Sequence, residues 1–163
     1  MGIRYRSFVY IFVMLLTTVG CSNEKIQNNE NSIAKNTEEV AILSPPKLTV
    51  SVEGNKIIAG RGSYSWSKDN GDGTTESIYS STGPPPEFAG KELLVKSQSE
   101  VQLFFEEAPS YYEVRIWETD NNIAIPVTDN TFTTTQDKGN VIYEVVANWE
   151  HGTATYAFSL NVK

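Results

Sequence analysis

From Lys47 onward, apolar and polar side chains take turns along the chain. "KLTVSVEG" sets Leu48, Val50 and Val52 on one parity, "VQLFFEE" does the same with Val101, Leu103 and Phe105, and "YYEVRIWE" with Tyr112, Val114 and Ile116. Two longer runs follow, one carrying Val141, Tyr143, Val145, Ala147 and Trp149, the other Ala154, Tyr156, Phe158, Leu160 and Val162. A period of two sends successive side chains to opposite faces of an extended backbone, so each run predicts a strand with one face in a core and one in water. "KIIAGRGSYSWS" reads as one extended stretch with Ile58, Tyr64 and Trp66 on a common parity, and "KELLVKS" as a further strand. Turn-forming residues separate the runs at Gly54–Asn55, at Gln98–Ser99–Glu100 and at His151–Gly152. No stretch of useful length has helical periodicity. Many short strands divided by turns predict an all-β fold, a sandwich or a barrel, and residues 47–163 suffice for one domain with a single core.

The chain ahead of that domain has two other textures. Residues 22–46, "SNEKIQNNENSIAKNTEEVAILSPP", are polar, rich in Asn and Glu and free of aromatics. Such a segment buries too little apolar surface to offset its ordering entropy, so 21–46 is expected to be a flexible linker that ends at Pro45–Pro46. Residues 1–20 carry Arg4 and Arg6, then an apolar run from Phe8 to Leu16, then Thr17, Thr18, Val19 and Gly20. The run falls short of the ~20 residues that span a bilayer, and the order of charge, apolar core and small residues is that of a cleaved signal peptide.

The residues "VGC" that close this segment resemble the lipobox of bacterial lipoproteins, with Thr18 standing where leucine is usual. The resemblance implies cleavage before Cys21 and a lipid on its thiol, which would hold the protein outside the cytoplasm on the bacterial cell membrane. Cys21 is the only cysteine, so no disulfide forms within the chain. Two or more acyl chains make such an anchor durable. Within the domain, "GNVIYEV" resembles the immunoglobulin-fold strand that carries a tyrosine corner, with Tyr143 two residues ahead of the common cysteine position, here Val145. "VQLFFEE" resembles its partner strand, with Leu103 or Phe105 at the other cysteine position. This likeness covers about residues 91–163 and implies an immunoglobulin-like antiparallel sandwich. "GSYSW" and "WEHGTATYAF" are also similar to domains of Gram-positive surface lipoproteins, which implies a location in the cell envelope and no particular chemistry.

Charge narrows the partners. The formal net charge is −7, and without residues 1–20 eleven basic side chains face twenty acidic ones, a formal −9. Nucleic-acid phosphates repel such a chain, and a lipid on Cys21, not a basic patch, must supply membrane affinity. In "KDNGDGTTES", the oxygens of Asp69, Asn70 and Asp72 invite a metal reading. A calcium loop with Gly73 sixth, however, would put Lys68 first and Tyr79 twelfth, so a hairpin turn is expected and no metal. His151 is the single histidine and falls in a predicted turn. Glu106 and Glu107 are adjacent, and in a strand they would point to opposite faces, away from any shared bond. No catalytic residue and no cofactor is expected. Aromatics on strands, Trp117, Trp66 and Tyr64, are the ligand-binding candidates, and Trp117 shares parity with Glu113 and Arg115. The sequence thus predicts a non-catalytic, membrane-anchored interaction or envelope-associated module. A carbohydrate- or peptidoglycan-binding module with weak hydrolase activity is the alternative, and the expected partner is a protein or a cell-wall glycan.

Overall fold

The computed structural model describes residues 43–163, and the expected signal peptide, Cys21 and most of the expected linker lie outside the described residues. Eleven strands follow in order: β1 (Leu48–Val52), β2 (Asn55–Ile58), β3 (Gly60–Asp69), β4 (Thr75–Ser80), β5 (Leu93–Val95), β6 (Glu100–Phe105), β7 (Tyr111–Ile116), β8 (Ile123–Ile125), β9 (Thr131–Thr133), β10 (Gly139–Trp149) and β11 (Gly152–Val162). A single 3-10 turn, Pro85–Glu87, interrupts the connection from β4 to β5. The strands form two antiparallel sheets, a smaller one in the order β2-β1-β6-β9 and a larger one in the order β4-β3-β11-β10-β7-β8. The short β5 pairs in parallel with the end of β11, beyond the stretch that β3 occupies. The fold is all-β, a sandwich of two sheets.

The alternation of the sequence is the packing of the sandwich. Leu48, Val50, Val52, Val101, Leu103 and Phe132 from the smaller sheet meet Val114, Val145, Tyr156, Phe158 and Leu160 from the larger, all buried. Each large apolar side chain so removed from water contributes roughly 1.5–3 kcal/mol. Tyr143 stacks on Phe158 with ring centres 5.3 Å apart, and Phe132 leans on it from the opposite sheet at 5.2 Å. The longest pairing joins β10 and β11, from Gly139 opposite Val162 to Trp149 opposite Gly152. The turn between them is Glu150–His151, one residue earlier than expected, and Gly152 opens β11. A side chain is excluded at Gly152, where a Cβ would lie 1.9 Å from the Ser65 carbonyl oxygen.

One strand departs from its expected face. Ile58 is 69% exposed, while Ile57 packs against the core. The chain breaks at Ala59 between β2 and β3, and β2 belongs to the smaller sheet while β3 belongs to the larger. A second irregularity follows within β3: opposite β11, Tyr64 pairs with Ala154 and Arg61 with Tyr156, so β3 holds one residue more than its partner. This bulge resets the parity, and the face occupied by Tyr64 and Trp66 continues to Arg61 and not to Gly60 and Gly62. Bulges bend a strand and re-aim its side chains in this way.

The two glycines take the other face. The connection that contains the 3-10 turn crosses over them, and a Cβ on Gly60 would lie 1.6 Å from the Phe88 carbonyl oxygen. A Cβ on Gly62 would lie 2.5 Å from both the Phe88 ring and the Thr155 hydroxyl. This crossover explains why Ala157 and Ser159, on the outward parity of β11, are nevertheless buried.

Candidate functional site

A cleft of about 550 Å³ opens where the chain enters the domain. Pro45 and Pro46 form one wall, and both are buried, so the packed part of the chain starts ahead of Lys47. Pro46 is held from the far end of the sequence, because the Tyr156 hydroxyl donates a 2.6 Å hydrogen bond to its carbonyl oxygen. Burial pushes the Tyr156 phenol far above its ordinary pKa, against the opposing pull of Arg61. The phenol therefore stays a donor. Lys47 and Glu106 close the entrance reciprocally: the Lys47 amide donates to the Glu106 carboxylate at 3.0 Å, and the Glu106 amide donates to the Lys47 carbonyl at 2.9 Å.

Trp66 contributes the floor. It is only 4% exposed and packs edge-on against Trp149 with ring centres 5.4 Å apart, so it is a core residue that borders the cleft with little open surface. Trp66, a ligand-binding candidate from the sequence, thus has almost no surface of its own to offer a ligand. Trp149 is fixed in turn by a 3.1 Å hydrogen bond from its indole N–H to the Glu107 carbonyl. His151 borders the cleft, exposed, with its ring 6.0 Å from that of Trp66. Its carbonyl accepts from both the Ser67 amide and the Ser67 hydroxyl, at 2.8 and 3.1 Å.

The charged residues of the cleft are Lys47, Lys68 and Arg61 against Glu106 and Glu107. The two glutamates line the same cleft, contrary to the expectation of opposite faces, because β6 ends at Phe105 and both lie in the bend that follows. Arg61 is half-buried, with its guanidinium carbon 5.9 Å from the centre of the half-buried Tyr64 ring. Tyr64, a ligand-binding candidate from the sequence, thus lies beneath Arg61 as a support. Nothing in the composition singles out Arg61, but "GRG" inside an otherwise alternating strand is a signal for a bulge or a close backbone approach.

The remaining candidates lie elsewhere. Trp117, half-buried at the end of β7, faces outward with Glu113 and Arg115, whose side chains form a 2.6 Å ion pair. Asp69 ends β3, Asn70 and Asp72 sit in the hairpin loop that leads to β4, and all three side chains serve the loop itself. Asp69 accepts from the Gly71 amide at 2.8 Å, Asp72 from the Thr74 amide at 2.9 Å, and the Asn70 amide group donates to the Thr74 hydroxyl at 3.1 Å. The Thr74 contacts hold the Asp72 carboxyl below the ordinary range. Across the outer face of the larger sheet, the pairing registers align Tyr111, Asn148, Thr153, Ser65 and Tyr79 in one row. Its end residues are well exposed, Tyr111 at 62% and Tyr79 at 76%.

Two buried tyrosines invite a comparison. The Tyr143 ring is fully buried, and its hydroxyl has no hydrogen-bond partner among the described residues, although Thr135 turns polar atoms toward it. The bond that a tyrosine corner implies is therefore not made in good geometry. Tyr143→Phe removes an unpaired buried hydroxyl and is expected to leave stability unchanged or slightly raised. Tyr156→Phe strands the Pro46 carbonyl and is expected to cost ~1–3 kcal/mol. Urea unfolding of the full chain distinguishes them, and equal losses for both would contradict the assignment.

No family model, curated protein or solved structure matches this chain.

Proposed function

We propose that this protein is a non-catalytic lipoprotein, anchored through a lipid on Cys21 to the outside of the bacterial cell membrane, whose sandwich is an immunoglobulin-like interaction module. The observation that carries the reading is the cleft beside Pro45 and Pro46, a concave site with a tryptophan in its floor and charges of both signs. It lies at the point where the chain from the expected anchor enters the domain. Glu106 and Glu107 come from one short bend, and Glu106 already accepts the Lys47 amide, so the pair does not suit acid–base work on opposite sides of a bond. The immunoglobulin-like assignment is supported by β5 running parallel to β11, by β10 lying between β7 and β11, and by Leu103 and Val145 burying the two positions where such domains often carry cysteines.

The row from Tyr111 to Tyr79 favours a second reading, a glycan-binding module, since exposed aromatics flanking short hydroxyl side chains suit sugar rings. The test has two parts. A tagged fatty acid should label the native chain and not Cys21→Ser, and equal labelling would remove the anchor. In intact cells, a photo-crosslinker at Lys68 should give one discrete protein adduct, whereas one at Thr153 should give none. Adducts at Thr153 with cell-wall glycan would transfer the role to the outer face.

A further inference from the structure

The bulge in β3 spends an irregularity on turning one cation inward, and that cation has no acceptor. Among the described residues the Arg61 guanidinium makes no hydrogen bond or ion pair; it lies over the Tyr64 ring, near enough to the Tyr156 phenol to act on it electrostatically. A half-buried guanidinium presents five N–H donors in a rigid fork whose natural complement is a carboxylate or a phosphate held by two parallel bonds. Support from a ring face beneath fixes the fork's plane. Arg115, by contrast, has Glu113 at 2.6 Å.

The surroundings choose between the two anions. Residues 43–163 hold nine basic and sixteen acidic side chains, yet the cleft gathers three of the basic and only two of the acidic ones. One site on an acidic domain is therefore locally positive. Glu106 and Glu107 on the same rim disfavour a doubly charged phosphate, but they suit the N–H groups of a peptide backbone. The Trp66 floor and the Pro45–Pro46 wall supply an apolar surface of side-chain size.

The geometry points to recognition of a free peptide carboxy terminus: Arg61 grips the terminal carboxylate, Trp66 and the proline wall cover the last side chain, and Glu107 faces the amides behind it. This rests on the cleft being the working surface of an interaction module, and it names the chemistry of the partner. An internal peptide bond offers no carboxylate to the fork, so of the groups on a peptide backbone only the chain end satisfies it.

The probes are acetyl-alanyl-alanine as the free acid and the same compound as its carboxamide, titrated against the full chain by calorimetry and tryptophan fluorescence. The acid should saturate, and the carboxamide should bind at least ~10-fold more weakly, as the loss of a charge-assisted pair implies. Arg61→Gln should lose a similar factor for the acid alone, while Arg61→Lys recovers part of it. Equal binding of acid and carboxamide, or an Arg61→Gln variant that binds as the native chain does, overturns the proposal. Inorganic phosphate displacing the acid at equal concentration overturns the choice of anion. If Arg61→Gln does not fold, the acid–carboxamide ratio on the native chain and its reduction in Lys68→Gln decide the matter. No binding of the acid, together with an intact Lys68 adduct in cells, removes the carboxylate and leaves the interaction module standing.

Discussion

Trp149→Ala is expected to destabilise the domain by ~3–5 kcal/mol, the range for removing a large aromatic from a packed core. Trp149 is 7% exposed and holds together the end of the sandwich that carries the cleft. Its ring meets Trp66 at 5.4 Å, Phe105 at 6.2 Å and Tyr156 at 6.4 Å, all edge-on, and its N–H takes the Glu107 carbonyl. Truncation therefore opens a cavity among three aromatics and leaves a carbonyl unpaired. Trp149→Phe keeps most of the packing and loses the hydrogen bond, so about 1–3 kcal/mol is expected. Trp117→Ala, on the outer face, should cost less than half the Trp149→Ala value. Urea unfolding measures all three, and thermal melting should drop by ~10 °C or more for Trp149→Ala. A loss below ~1 kcal/mol would contradict the packing described.

Gly60→Ala is expected to cost ~3 kcal/mol or more, because the new methyl meets backbone. The obstruction is the Phe88 carbonyl oxygen at 1.6 Å from the ideal Cβ, and relief requires the whole crossover to lift. Gly62→Ala meets side-chain atoms instead, the Phe88 ring and the Thr155 hydroxyl. A cost of ~1–3 kcal/mol is expected there, falling when Phe88→Ala is introduced in the same chain. Neither glycine has positive φ, so alanine's better strand propensity works in favour of both variants. Two substitutions that raise propensity and lower stability would isolate the crossover as the cause. Additivity of Gly62→Ala and Phe88→Ala would refute the contact.

How much of this was readable in advance depends on whether a face continues unbroken. Val101, Leu103 and Phe105, or the five inward residues of β11, lie on strands that carry no extra residue of their own, so parity counted along them gives their inward face. Ile58 and Arg61 lie on either side of interruptions, the break at Ala59 and the bulge in β3, and parity counted through an interruption inverts the answer. The candidate site was the less legible part for the same reason. Trp66 stood out as an aromatic on a strand, but whether it presents open surface depends on Trp149, eighty-three positions away. Glu106 and Glu107 share a cleft because β6 stops one residue before them, and nothing in "FFEEAP" fixes that stop to a single residue. The hairpin loop at Asp69–Asp72 was legible because its rule is local: Asx side chains and glycines close the turn on themselves.

The hydrogen bond between Tyr156 and Pro46 has a mechanical consequence. Tension on the chain ahead of Pro46 does not begin by peeling β1 from its neighbours. It is shared by the Tyr156 phenol in the middle of β11, a strand flanked by β3 and β10. A pull on the entrance is thus delivered to the interior of the larger sheet, while β1 is gripped on both edges by β2 and β6. Because Pro46 is also a wall of the cleft, a pull that broke this bond would disturb the site as well as the entrance.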